Sequence, residues 1–227
     1  MALAWTTLMA CLVGCSSLRI ASVPAKQAAA KASPMPISAA EWYQHVSTEH
    51  YLALACTQSC ILRSGSDAVA QILRGSESID VAHAAAMGLI GFGVSGLIGA
   101  SWLRVLEAQL GTGTGAKDVV KKAAADYCLY APFANSCYLL LVPFLATLFH
   151  HGPMLCDGSV CSADVLATAV ATASAAWENG FSSAMLLEAT MFAPYNLLAF
   201  RLIPSTFRPQ ATSAMCAGYT VLLSGLC

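Results

Sequence analysis

The sequence predicts an all-α fold, specifically a polytopic helical membrane bundle with about four principal spans and several shorter helices. The first reason is composition, because 57% of the residues are hydrophobic and only 10% are charged, whereas ordinary soluble domains carry about 25% charge. The second reason is a pair of long segments without a charged residue, residues 84–103 and 127–149. A hydrocarbon core of ~30 Å needs ~20 apolar helical residues, so each segment is long enough to span a membrane.

The N-terminal 40 residues have a different character. They contain no acidic residue, and three basic residues stand among many Ala and Ser, which is typical of an organelle-targeting segment. The apolar first 15 residues also fit a signal-peptide core, and an apolar head before a basic tail fits two-step import into a complex plastid. We therefore expect a targeting and linker segment over residues 1–40, cleaved or disordered, and a helical transmembrane domain over residues 41–227.

The first membrane helix is predicted over residues 51–73. It contains Arg63 and Asp67, which are four residues apart and can pair on one helix face. Gln71 continues that face one turn later. Ionisable residues inside a span usually face the bundle interior or a water-filled path. Two interpretations therefore stay open, an internal salt bridge or the polar lining of a pore.

Small residues organise the second span. Two series recur at every fourth position, and their members are Gly91, Ser95 and Gly99, then Gly96 and Ala100. This pattern lets helix backbones approach closely in lipid. Residues 91–96 also match G-x-G-x-x-G, but that dinucleotide-binding motif must follow a strand, so close helix packing is the better interpretation. Trp102 and Arg104 end the run, where a membrane interface suits both.

The third helix is predicted to begin near Ala116 and to continue into the second uncharged segment. Asp118, Lys122 and Asp126 are spaced by four along it. A solvated or interfacial face is the simpler interpretation of this stripe, and a pore lining is the alternative. Pro132 follows in the first turns of the span, where helix packing must satisfy the carbonyl that a proline leaves unpaired.

The connection at residues 150–163 contains two adjacent histidines and the pair Cys156 and Cys161. Adjacent histidines and a four-residue cysteine gap fit zinc sites poorly, so we predict no metal and no other cofactor. A disulfide between the two cysteines is favoured if this connection faces an oxidising compartment.

The C-terminal third is predicted to hold a short or interfacial helix at residues 164–181 and a last span at residues 209–227. Between them lies an apolar segment interrupted by Glu188, Pro194 and Asn196. Glu188 and Asn196 are eight residues apart, which places them on one side of a helix. We expect both side chains to face the bundle interior.

Basic residues predict the orientation of the spans. The N-terminal arm is basic, and so is the connection between the second and third spans, whereas residues 150–163 contain no Lys or Arg. Short loops rich in Lys and Arg stay on the side from which a protein inserts. With four spans, both termini and the basic connection would lie together on the matrix or stroma side.

Several sequence blocks follow one another in the order and nearly the spacing of a known family. They are Asp67 and Gln71; Gly91, Phe92 and Trp102; Lys122, Asp126 and Pro132; and Asn196, Phe200, Pro204 and Arg208. With these blocks, residues 42–224 resemble the family of Mpv-seventeen and the peroxisomal membrane protein of twenty-two kilodaltons, as a divergent member. Two departures are His83, where the family has an arginine, and Pro194, which is displaced by one residue.

The resemblance implies a four-span protein of the mitochondrial inner membrane, with plastid and peroxisomal membranes as alternatives. It also implies channel-like behaviour in organelle homeostasis and no enzymatic activity. The residues agree with the last point, because no nucleophile, base and orienting group can be assembled from the sequence. The net charge of −1 provides no basic surface for nucleic acid.

Two functional hypotheses follow. The first is a weakly selective pore for small solutes or ions, whose lining or internal polar network consists of Arg63, Asp67, Gln71, Lys122, Asp126, Glu188 and Asn196. The second is a non-conducting structural or accessory subunit of a membrane complex, in which these charges are internal ties and the glycine face of the second span docks a partner. The expected partners are the lipid bilayer, further copies of the chain or subunits of such a complex.

Overall fold

The computed structural model describes residues 38–151 and 163–226, and every regular element in these two ranges is helical. The helices are α1 (Ala39–Glu49), α2 (Tyr51–Leu73), α3 (Val81–Leu110), α4 (Ala116–His150), α5 (Ala163–Leu187, then Glu188–Phe192 and Ala193–Leu202) and α6 (Arg208–Leu226), with a 3₁₀ turn at Ser205–Phe207. The all-α prediction is confirmed for this part of the chain. Residues 1–37, Cys156 and Cys161 lie outside the described residues.

The chain divides into two compact units, Met1–Trp42 and Tyr43–Cys227. The first contributes only residues 38–42 to the description. There Ser38 and Glu41 form a reciprocal capping box, each side chain accepting from the backbone N–H of the other at 3.2 Å. This arrangement satisfies two N–H groups at the start of α1.

Five long helices, α2 to α6, run the length of the bundle in the second unit. α2 packs between α3 and α6, α4 packs on α3, and α5 packs along both halves of α4. Ser59 and Ser213 share a hydrogen bond of 2.6 Å, and Tyr51 and Arg208, near the starts of α2 and α6, line one pocket. α6 therefore runs parallel to α2, which differs from the predicted four-span topology with both termini on one side.

The additional long helix is α5, which was expected as a short helix followed by an interrupted segment. It continues past Pro194 because a π-helical turn, Glu188–Phe192, comes just before that proline. The backbone N–H of Ala193 donates to the carbonyl of Glu188, five residues back. Pro194, which has no N–H to donate, therefore lies where the α-helical hydrogen-bond pattern is already interrupted. α4 contains a second π-helical turn, Asp126–Tyr130, directly before Ala131 and Pro132.

The small residues of α3 are used for packing inside the chain. A Cβ added at Gly96 would collide with the Cα of Cys56 on α2. At Gly91 it would lie 2.8 Å from the Cγ of Arg63, and at Gly99 2.5 Å from the hydroxyl of Tyr130 on α4. This contradicts the part of the second hypothesis in which the glycine face docks a partner, because α2 and α4 already cover that face.

Two of the described helices, Val81–Leu110 and Ala116–His150, are long and apolar enough to cross a membrane. They contain the two predicted uncharged segments. Only 33% and 11% of their most apolar windows are buried within the chain, whereas the core helix of a soluble protein would be mostly buried. Most of their apolar side chains are therefore only partly covered by the rest of the chain, although Ile90, Val94 and Val142 pack together in a buried cluster between the two helices.

Candidate functional site

A cavity of about 700 Å³ lies at the centre of the bundle and receives side chains from α2 to α6. Six of the seven residues predicted for the pore lining or internal network contribute to its wall: Arg63, Asp67, Gln71, Asp126, Glu188 and Asn196. The seventh, Lys122, does not. Polar and ionisable groups are therefore concentrated inside a bundle whose outer surface is largely apolar.

Asp126 joins three helices at the wall of this cavity. Its Oδ1 accepts a hydrogen bond from the indole Nε1 of Trp102 on α3 at 2.8 Å, and its Oδ2 accepts one from Asn196 Nδ2 on α5 at 2.7 Å. Asp126, Trp102 and Asn196 are all buried. The indole stacks on Tyr130, whose hydroxyl donates to the carbonyl of Val94 at 2.9 Å. Trp102 is thus an interior residue and not the membrane-interface residue that the sequence predicted.

Arg63 forms a second polar centre in the wall of the cavity. Its guanidinium lies 4.5 Å from the ring centroid of Tyr138 and donates to Ser95 Oγ at 3.4 Å. Ser95 and the Tyr138 hydroxyl are themselves 2.8 Å apart, and Arg63 Nε has no hydrogen-bond partner. The predicted pair with Asp67 is absent from the ion pairs of the described residues. A tyrosine and a serine from the facing helices take that place.

Glu188 enters the cavity from α5 at a position equivalent to that of Asp126 on α4. Each carboxylate begins a π-helical turn, and each is followed by an aromatic residue four positions later and by Ala-Pro. Asn135 of α4 lies within hydrogen-bonding reach of the Glu188 carboxyl. Because α4 and α5 are antiparallel, the two carboxylates lie at opposite ends of these interruptions: Asp126 is opposite Asn196, and Asn135 is opposite Met185, three residues before Glu188. Repeated acid-x-x-x-aromatic-Ala-Pro was the sequence signal that could have related Glu188 to Asp126.

Two histidine–aspartate contacts close one end of the cavity. His83 Nδ1 lies 3.0 Å from Asp67 Oδ2, and His150 Nε2 lies 3.0 Å from Asp80 Oδ2. Gln71 connects the two contacts, because its Nε2 donates to Asp67 at 2.7 Å while its Oε1 accepts from the Asp80 backbone N–H at 2.6 Å. The start of α3 and the end of α4 are thereby attached to α2.

Asp80 also caps α3, since its Oδ1 accepts from the backbone N–H of His83 at 2.9 Å. Partial burial opposes ionisation, but the hydrogen bonds from His83 and His150 outweigh it and hold the pKa of Asp80 below its ordinary value. Folding therefore favours the ionised form. This contribution to stability is complete above the ordinary pKa of about 3.9 and is lost as the pH falls through the lowered pKa.

Asp80→Ala should lower the free energy of unfolding at neutral pH by about 0.5–2 kcal/mol, because an N-cap is removed from α3. The difference from the native chain should shrink as the pH falls below about 4. Unfolding of the purified protein in detergent measures both effects. Glu77→Ala, an exposed change in the same connection, is the control and should be nearly neutral. Equal losses in the two variants would contradict the capping role.

Lys122 is fully buried outside the cavity wall and donates from Nζ to the carbonyl of Gly113 at 3.1 Å. It forms no ion pair with Asp126, four residues on. The solvated or interfacial face expected for this stripe is therefore wrong at both positions, because Asp126 is buried as well. Helical spacing correctly put the two residues on one face but did not show that α5 covers it.

Three residues of the C-terminal family blocks lie at the opposite end of the bundle. Arg208, at the start of α6, forms an ion pair with Glu107 of α3 and donates to the carbonyls of Ile203 and Phe200 at 2.8 and 3.2 Å. Its guanidinium also lies over the buried ring of Phe200. Pro204 ends the preceding segment, and Ile203 before it is extended, as a residue before proline prefers.

Comparison with known proteins finds a distant relative. "Protein sym1" of Aspergillus oryzae is 23% identical to this chain over 186 residues, which cover 81% of this chain and 94% of sym1. The similarity is distant but nearly full-length. It favours the Mpv-seventeen family of organelle membrane proteins, in agreement with the residue blocks described above. No family model matches the chain, and no solved structure matches it.

Sequence reasoning missed the residues that bind the predicted ones from neighbouring helices. His83 was noted only as a departure from the family, yet it contacts Asp67. Tyr138 was not singled out, yet it covers Arg63. Trp102 was identified as a family match, but its contact with Asp126 could not be inferred, because a helical pattern gives the face of a residue and not its partner on another helix.

Proposed function

We propose that this chain is an integral protein of an organelle membrane whose central cavity is a weakly selective conduit for small polar solutes or ions. The observation that carries the proposal is the collection of ionisable side chains from successive helices around one cavity of about 700 Å³. Charged groups are costly in lipid and are retained where they line a path or pair with one another. Water and small solutes are the occupants that such a wall can stabilise.

The outer surface of the helices supports a membrane location. On α5, Leu186, Leu198 and Leu202 are 67%, 59% and 70% exposed, and large exposed aliphatic side chains in such numbers suit contact with lipid. α2 is less apolar than α3 because Arg63, Asp67 and Gln71 lie on it, and all three line the cavity. We propose that all five long helices cross the bilayer.

The similarity to sym1 and the apolar helices point to an organelle membrane. Within that class we propose the mitochondrial inner membrane, with the plastid and peroxisomal membranes as alternatives. The proposal assigns no catalytic reaction and no nucleic-acid partner to the chain. Its partners are the surrounding lipid and, in an oligomer or larger complex, surfaces other than the internally packed glycine face of α3.

Single-channel recording in planar bilayers tests the conduit. Arg63→Gln should shift the reversal potential toward the equilibrium potential of the cation, because it removes a positive charge that Arg63 keeps at all ordinary pH values. A unit charge about 8 Å from an ion contributes about 0.5–2 kcal/mol at effective dielectric constants of about 80 to 20. The permeability ratio should therefore change roughly 2- to 30-fold.

The matched control is Arg201→Gln, which removes the same charge from an exposed position outside the cavity. It should leave the permeability ratio unchanged. Equal effects of the two variants would show that Arg63 does not act from the wall of a conducting path.

The second candidate is a non-conducting structural subunit, and one observation favours it. Several cavity groups already bind one another, with Asp126 held by Trp102 and Asn196 and Asp67 held by Gln71 and His83. Such contacts stabilise a bundle without any solute. A silent bilayer, with the protein shown to be folded and inserted, would decide for this function.

A further inference from the structure

A second, smaller pocket of about 220 Å³ lies where α2 and α6 begin and α3 ends. Most of its wall is polar, and the residues that matter are Ser47, Arg104, Glu107, Ser205, Thr206 and Arg208. The proposed conduit does not use these side chains. They combine two guanidinium groups with several hydroxyls and only one carboxylate.

The two arginines have different surroundings. Arg208 is engaged by the Glu107 carboxylate and by the carbonyls of Ile203 and Phe200, which neutralises its charge and fixes its position. The guanidinium of Arg104 lies over the ring of Tyr51, with its central carbon 3.9 Å from the ring centroid. Among the described residues it forms no ion pair. The Tyr51 side chain is its hydrogen-bonding neighbour, and most of its five N–H groups are left for a ligand. The pocket therefore carries one net positive charge.

A buried hydroxyl adds to the polar wall of this pocket. Ser47 is 0% exposed and lines the pocket. Its Oγ makes no hydrogen bond of ordinary geometry, and its one polar neighbour is the phenol of Tyr43, which donates to Gln58 at 3.2 Å. Buried polar atoms usually have a well-formed hydrogen bond, so the Ser47 hydroxyl can bind a ligand in the pocket without giving up a strong partner.

The position of the pocket along the helices restricts the ligand. Arg104 directly follows the uncharged residues 84–103, so in a membrane it would lie where the hydrocarbon ends and the headgroups begin. Lys117, Lys121 and Arg201 occur at the same end of the helices, which makes this the more basic side of the bundle. An anion is the ligand that such a side attracts.

We propose that this pocket binds a phosphate group, either the headgroup of an anionic phospholipid or a small soluble phosphate ester. Arg104 donates to the phosphate oxygens from the plane of its guanidinium, and the hydroxyls of Ser47, Ser205 and Thr206 donate from the other sides. Arginine suits phosphate because its planar N–H groups bind two oxygens at once. The pocket volume is roughly seven times the ~30 Å³ of a water molecule, which leaves room for a phosphate and the carbons attached to it.

The proposal is independent of conduction and is tested on the full chain purified in a maltoside detergent without phosphate. The probes are phosphatidic acid, diacylglycerol as the same lipid without phosphate, and glycerol phosphate as the soluble ester. Binding is measured as the shift in the thermal unfolding midpoint and as retention of lipid in native mass spectrometry.

Phosphatidic acid should bind and stabilise the chain, and diacylglycerol should not. Added stabilisation by glycerol phosphate would extend the ligand to soluble esters, and its absence would assign the pocket to lipid.

Ser47→Ala and Arg104→Gln should each weaken phosphatidic acid binding at least about tenfold, whereas Arg201→Gln should leave it unchanged. Ser47→Ala should unfold at nearly the same temperature as the native chain without lipid, because its hydroxyl loses only a weak contact with Tyr43. The unfolding midpoint of each variant without lipid is measured first, so that a folding defect is distinguished from lost binding. Unaltered binding in both pocket variants, or an equal loss in Arg201→Gln, would overturn the proposal.

Discussion

Asp126→Ala should be among the most destabilising single substitutions in the chain. It removes the acceptor of two buried hydrogen bonds, from Trp102 Nε1 and Asn196 Nδ2, and leaves both donors without a partner. Each unpaired buried donor costs about 1–3 kcal/mol, so the total loss should be about 2–6 kcal/mol. Unfolding of the purified protein in detergent measures it.

Two further variants separate this mechanism from a general effect of changing α4. Asp126→Asn should lose about half as much, because its amide oxygen can accept from one donor while its NH₂ faces the other. Lys121→Ala changes an exposed residue on the same helix and should be nearly neutral. If Asp126→Ala were as stable as Lys121→Ala, Asp126 would not hold α3, α4 and α5 together.

Gly96→Ala should weaken the contact between α2 and α3 strongly. The added methyl group would collide with the Cα of Cys56, a backbone atom that cannot turn aside. Overpacking typically costs about 1–3 kcal/mol, and the upper part of this range or more is expected because two helix backbones must separate. The measurement is the unfolding midpoint together with the fraction of protein that elutes as a single species.

Gly93→Ala is the matched control, since it lies in the same π-helical segment of α3 and has no atom within 4 Å of an added Cβ. It should be neutral or slightly stabilising, because alanine favours helix over glycine by about 0.8–1.0 kcal/mol. Similar behaviour of the two variants would mean that α2 and α3 do not approach as closely at Gly96 as the structure shows.

The helices that the sequence predicted well are those whose limits depend on local chemistry. The predicted first helix, residues 51–73, has those same limits in the structure, and α4 begins at Ala116 as expected. Glycines next to these helices, Gly75 with a φ of 77° after α2 and Gly115 before α4, help to determine such limits without reference to the rest of the fold. α5 was divided wrongly because Pro194 usually ends a helix, and a π-helical turn allows it to continue.

The candidate site was predictable only in part, for a physical reason. Spacing places Asp67 and Gln71 on one interior face, and both line the cavity. Asp126 lines it too, although its stripe was more simply interpreted as a solvated or interfacial face. Spacing does not determine which residue of another helix is opposite. Arg63 was therefore paired with the nearest acid in sequence, whereas the fold presents Tyr138 to it and gives Asp67 to His83. Lys122 was assigned to water or a pore because nothing local indicates that α5 covers it.

The paired interruptions of α4 and α5 have a consequence for any solute that uses the cavity. Because the helices are antiparallel, Asp126 lies opposite Asn196, which is eight residues beyond Glu188 on α5. At 1.5 Å per residue, the two acidic positions differ in depth by roughly 12 Å. A moving ion would therefore meet the two carboxyl groups one after the other and cross two barriers in series. Substitution at the position of the higher barrier should then change the conductance strongly, and substitution at the other position should change it little.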